Sequence, residues 1–239
     1  MNEEKVETLG KRVYKFGAGK ADGKADMKNL LGGKGASLAG ATLLGLPVPP
    51  GFTISTDVCN EYLSTGGLSD PVKDESKEAL AWIEEILGKK FGDPDNPLLV
   101  SCRSGARQSM PGMMDTVLNV GLTTKTLPGL IKASGDERFA YDSYRRLIMM
   151  YADVVMEKAE GVETEEGQGI RQQLEWIMNK KKREAGRISD TELTVEDLKD
   201  LIGEFKERVN HSLGREFPDD PYEQLWGAVG GVFKSWWGN

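Results

Sequence analysis

Between Arg103 and Thr116 the chain places two arginines, Arg103 and Arg107, three hydroxyl side chains, Ser104, Ser109 and Thr116, and two glycines, Gly105 and Gly112. Arginine binds phosphate oxygens through paired, charge-assisted hydrogen bonds. Glycine lets backbone amides approach a ligand closely. Together they suit a loop that cradles a polyphosphate. A solvated hairpin with incidental arginines is the bland alternative, and composition does not separate the two. Leu98-Leu99-Val100 precedes the loop as a short apolar run and predicts a buried strand over Leu98–Cys102, which would hold the loop at its end.

A second group is Gly32-Gly33-Lys34-Gly35. It fails as a Walker A loop, which needs G-x-x-x-x-G-K followed by Ser or Thr. Here Gly35 follows Lys34, and position 28 is Lys. It still puts a lysine in a glycine-rich turn just before a helix, where amide groups and the helix dipole favour phosphate. Other reactive residue types are sparse. His211, the one histidine, falls at the end of a predicted helix and reads as a surface residue. Cys59 and Cys102 lie far apart, outside any C-x-x-C spacing, and read as reduced thiols packed as small hydrophobes. Arg145 and Arg146 read as ion-pair partners on a helix, and Lys180 to Arg183 as a solvated helix end.

The elements that must position these groups change character along the chain. Val13–Phe16 and Phe52–Ile54 read as strands, and Leu38, Ala39, Thr42 and Leu43 as a helix ending near Gly45. Asp57 is expected to cap a short helix through Leu63. Leu80, Ile83 and Leu87 mark another, closed at Gly88. This alternation of strands and helices predicts a mixed sheet. From about Glu137 three amphipathic helices follow in a row. Their markers are Phe139, Leu147, Tyr151 and Val154, then Ile170, Leu174, Ile177 and Met178, then Leu198, Leu201, Ile202, Phe205 and Val209. Thr194 and Asp197 open the third as a capping-box-like pair. A last helix spans about Tyr222–Trp237. No internal repeat is found.

With 239 residues, 38% hydrophobic and 29% charged, the composition is that of a globular protein with one or two cores. A net charge of −7 argues against nucleic-acid or anionic-membrane partners, so an anion site must be a local pocket. No run of 18 apolar residues is present, and Met1–Arg12 lacks the apolar stretch of a secretory signal. A cytoplasmic setting is expected.

The wording R-S-G-A-R-x-S-M-P-G-M-M-D-T at 103–116 resembles the glycine-rich phosphate loop of the pyruvate, phosphate dikinase family. Met27–Ala39, Gly45–Thr53 and Arg138–Arg146 resemble three further segments of that family, in the same order. The resemblance runs from about Val13 to the C-terminus. It implies an α+β fold, a partial ATP-grasp: a mixed-sheet subdomain over 1–122, an inserted all-helical subdomain over 123–219, and a return helix over 220–239 packing on the first. It implies a phosphotransferase that moves the β-phosphoryl of ATP to a carrier histidine. Phosphate is then the second acceptor, and pyruvate becomes phosphoenolpyruvate.

By the same resemblance Lys34 contacts the nucleotide phosphates, and Arg103 is the catalytic residue gripping the transferred phosphoryl end. Gly105, Ser109, Gly112 and Thr116 let the loop fold over the phosphates. Arg107 either joins the grip or faces solvent. Met110, Met113 and Met114 cover the nucleotide or pack the loop. Mg²⁺ is expected with ATP, its ligands supplied by a second subdomain beyond Asn239, and no metal ligand is assigned within the chain. The family's nucleotide-contacting lysine in the helical subdomain has no match near Glu184-Ala185-Gly186. The carrier histidine belongs to a separate phosphohistidine domain, in a T-S-H-type motif absent here, so the chain alone is expected to be inactive. The edge left by the absent subdomain is expected to favour a homodimer. A phosphoenolpyruvate synthase or glucan dikinase shares this module, and a stand-alone nucleotide-binding module without chemistry is the rival of another class.

Overall fold

Val13–Gly17 (β1) alternates a half-buried Lys15 with the buried Tyr14 and Phe16, the pattern of a strand between two layers. It pairs antiparallel with Lys20–Ala21 (β2) on one side and Gly51–Ile54 (β3) on the other, in the order β2-β1-β3. The β1–β3 register sets Val13 against Ile54 and Phe16 against Gly51. The computed structural model describes residues 10–105, 116–165 and 167–236. Contacts divide the chain into two compact units. Of the described residues, one holds 10–88, 104, 105 and 236, and the other 89–103, 116–165 and 167–235.

In the first unit, Lys28–Leu43 (α1), Thr56–Thr65 (α2) and Asp70–Leu87 (α3) accompany the sheet. α1 packs on β1 and β2, and α3 on β1 and β3. Tyr14, Leu31 and Ala36 form a core cluster flanked by Met27 and Leu30. Glu75 of α3 fixes the start of β1, its carboxylate accepting from the amides of Arg12 at 2.8 Å and Val13 at 3.0 Å. α3 ends where the sequence predicts, with Gly88 in the left-handed region. The N-cap of α2 is Ser55, with Asp57 in the first turn, so the expected Asp57 cap is two residues too late. A carboxylate in the first turn serves the helix dipole equally well.

The second unit begins with Lys90–Phe91 (β4) and Pro97–Leu98 (β5), paired in parallel, then Val100–Arg103 (β6) and Thr116–Val120 (β7), paired antiparallel. The single strand predicted over Leu98–Cys102 is therefore two pieces broken at Leu99, each with its own partner. Leu127–Ser134 (α4), Glu137–Tyr151 (α5), Ile170–Glu184 (α6), Val195–Leu213 (α7) and Pro221–Lys234 (α8) follow. The chain is mixed helix and sheet, mostly helical, with small sheets.

α5 and α6 both pack on α7, and Leu147, Leu174, Leu198, Leu201 and Phe205 are fully buried. The predicted capping box at Thr194 and Asp197 is present, each side chain bonded to the other residue's amide. α5 continues into a π-helical stretch, Ala152–Glu157. There the buried Asp153 meets Lys158 at 2.9 Å and Arg171 at 3.2 Å, and Glu157 accepts from the Ile170 amide at 2.6 Å. α8 packs on β6 and β7. Its Gln224, wholly buried, accepts from the Gly121 amide at 2.9 Å and donates to the carbonyls of Leu122 and Pro218 at 3.0 and 2.9 Å.

Arg145 and Arg146 are ion-pair partners, both on Asp142 at 2.7 and 2.8 Å. His211 is exposed in the last turn of α7. The basic run is only partly solvated. Lys180 and Arg183 are exposed, whereas Lys181 and Lys182 are half-buried against Asp200 at 2.6 Å and Asp190 at 2.8 Å.

Candidate functional site

The sequence-predicted residues fall at two places, each within one unit. In the second unit Arg103 ends β6 and Thr116 begins β7, and the antiparallel register makes them cross-strand partners. Arg103 is exposed and Thr116 half-buried. The loop they bracket carries Arg107, Ser109 and Gly112, which lie outside the described residues. Beside Arg103, Cys102 has its thiol pushed up to about 12 by burial, and burial likewise lifts Cys59 to about 11. Such thiols stay protonated and inert near neutral pH.

In the first unit Lys34 stands in a break of α1. Gly32 has φ 68° and ψ 173° within an otherwise helical run, so the helix begins again at Gly33 and places Lys34, exposed, in its first turn. Only glycine adopts that backbone conformation readily. Gly35, one residue on, has the side chain of Thr53 so near that a Cβ would stand 2.8 Å from it, which lets the restarted helix lie directly on β3. The Gly32 backbone is pressed against the carbonyl of Gly105, and a Cβ at Gly32 would overlap that oxygen. The glycine-rich turn of Lys34 and the first residues of the loop, Ser104–Gly105, are thus in contact. Ser104 is itself buried, 3% exposed, and its Oγ accepts from the Trp236 indole N–H at 3.0 Å.

Sequence reasoning missed Gly32, Ser104 and Trp236 as parts of this arrangement. Gly32 stood inside a motif already singled out, but its contact with Gly105 joins segments more than seventy residues apart in sequence. Arg103 and Thr116 offer a guanidinium and a hydroxyl, and the Lys34 turn separately offers an ammonium and a helix N-terminus, each suited to anionic oxygens. Among the described residues no three metal-ligating side chains converge, so they form no set to hold Mg²⁺ unaided. No helix among them is long and apolar enough to cross a membrane.

A family model described as "Pyruvate phosphate dikinase, AMP/ATP-binding domain" matches residues 28–86, the stretch that contains Lys34. The chain is 49% identical over 230 residues to pyruvate, phosphate dikinase of Clostridium symbiosum, covering 95% of this chain and 25% of that protein. It is 48% identical over 229 residues to the enzyme of Rhizobium meliloti (strain 1021), covering 95% of this chain and 24% of that protein. To pyruvate, phosphate dikinase 2 of Oryza sativa subsp. japonica it is 46% identical over 231 residues, covering 97% of this chain and 25% of that protein. The chain spans about a quarter of the length of these relatives, which are phosphotransferases. Nearly all of it matches part of a pyruvate, phosphate dikinase, and the ATP-binding model covers residues 28–86 within that match.

Proposed function

We propose that this chain binds MgATP as the nucleotide-binding part of a pyruvate, phosphate dikinase. In that larger enzyme the β-phosphoryl of ATP passes to a carrier histidine, with phosphate as second acceptor and phosphoenolpyruvate as the eventual product. The observation that carries the reading is the contact of Gly32 with Gly105, which brings the Lys34 turn against the base of the arginine- and glycine-rich loop. Lys34 holds the nucleotide phosphates. Arg103 grips the transferred phosphoryl end and stabilises the charge that develops there. Gly105 and Thr116, with Ser109, Gly112 and Arg107 further along the loop, enclose the phosphates. Mg²⁺ arrives as the counter-ion of ATP and neutralises phosphate charge, and no ligand to it is assigned in this chain.

The fold we propose for this work is the first part of an ATP-grasp, with residues 123–219 as a helical insert, in a cytoplasmic enzyme that forms homodimers. By themselves these 239 residues turn nothing over, because they offer phosphate grips but neither the carrier histidine, which the family resemblance places on a separate phosphohistidine domain, nor an assigned set of metal ligands. The test is a thermal unfolding series with MgATP, alongside an assay for phosphoenolpyruvate. Ligand at a hundredfold excess over Kd stabilises by about 2.7 kcal/mol. The unfolding midpoint should rise with MgATP, and rise less in Lys34→Ala. A midpoint indifferent to MgATP overturns the binding, and phosphoenolpyruvate made by the chain alone overturns the proposed inactivity.

A further inference from the structure

We infer that Trp236 is a positioning residue for Ser104–Gly105, the first residues of the phosphate loop, an inference that rests on the nucleotide reading above. The loop leaves β6 at Arg103, and its next two residues are held from two sides. Gly105 has its carbonyl against the Gly32 backbone. Ser104 is 3% exposed, and its Oγ takes the Trp236 indole proton at 3.0 Å across 132 positions of sequence. An indole N–H has no other hydrogen-bonding capacity than this one donation, so the direction of the bond is fixed. A hydroxyl buried to this extent costs stability unless it is bonded, and the indole satisfies it.

The position of Ser104 in the chain gives the bond its significance. It directly follows Arg103 and precedes Gly105, so the indole fixes the backbone at the point where the phosphate-gripping residues begin. Side chains that bind a ligand act well only when their supports are held to within about 0.5 Å. Trp236 is placed to supply that support without touching nucleotide. Gly32 sets Gly105 from the other side, and two residues fixed in advance cost less to order on binding.

The experiment is a double-mutant cycle in this chain, Trp236→Phe and Ser104→Ala, read by MgATP titration, thermal unfolding and the indole N–H resonances. Trp236→Phe keeps an aromatic ring and removes the donor. Each single change should weaken MgATP binding about fivefold, the range of one neutral hydrogen bond, and the double change no further than either alone. The resonance absent from Trp236→Phe should move in Ser104→Ala and again on adding MgATP to the parent. A merely structural tryptophan would lower the unfolding midpoint while leaving the affinity of the folded protein untouched, which overturns the inference. So does an indole resonance indifferent to Ser104→Ala, or additive effects on affinity. If the parent itself binds no MgATP, the nucleotide reading fails and the positioning role goes with it, a result distinct from parent binding with indifferent variants.

Discussion

Replacing Gly32 with alanine probes the join between the Lys34 turn and the loop. Gly32 sits at φ 68° and ψ 173°, a region that other residues enter at a cost of about 1–3 kcal/mol. The added methyl would also overlap the Gly105 carbonyl oxygen, a backbone atom that moves only if the loop base moves. Either the strain is retained or the loop base retreats, and both lower stability. We expect Gly32→Ala to cost about 2–4 kcal/mol in urea unfolding, near the upper end for a single substitution. Gly67 is the control, since its φ is unremarkable and a Cβ there meets nothing within 4 Å. Gly67→Ala should be neutral or stabilise by a few tenths of a kcal/mol, by restricting the unfolded chain. If Gly32→Ala unfolds within about 0.5 kcal/mol of the parent, alanine is tolerated there. The reasoning about this break, and the contact that carries the functional reading, would then be wrong.

Gln224→Leu should cost about 3–5 kcal/mol, because the Gly121 amide and the carbonyls of Leu122 and Pro218 would each lose a buried partner, and denaturant unfolding reads it directly. Raising the pH should destabilise the fold from about 9 upward. Burial holds Cys59 and Cys102 protonated in the native state, to about 11 and about 12, while the unfolded thiols ionise near 9.0. The native state then binds more protons than the unfolded one, so stability falls as pH rises. Unfolding midpoints between pH 8 and 11 should fall less steeply in Cys59→Val than in the parent. At pH 8 neither native thiol should react with iodoacetamide until denaturant is added.

Local signals in the sequence placed much of the secondary structure. The Thr194–Asp197 box, the Gly88 stop and the apolar spacing of α5, α6 and α7 each depend on residues within a few positions of one another. β4 was invisible because two residues carry no periodicity, β5 was merged through Leu98 into one longer predicted strand, and α4 was missed because Leu127–Ser134 is only about two turns. The break at Leu99 depends on which strand each half pairs with, a tertiary fact. Nothing in the sequence marks Gln224 as buried, since its partners lie in segments the sequence does not connect to it. Lys34, Arg103 and Thr116 stood out in the sequence by residue type alone. The backbone contacts around them did not. A left-handed glycine inside a helix and an indole bonded across 132 residues leave no local trace.

Calorimetric titration of the chain with MgATP, repeated on Arg103→Ala, tests the central claim most directly. A charge-assisted contact to phosphate contributes about 1.5–3 kcal/mol, roughly 10- to 100-fold in affinity. The account predicts binding by the parent and a loss of that size in the variant, with its unfolding midpoint little changed because Arg103 is exposed. Equal binding by parent and Arg103→Ala would contradict it.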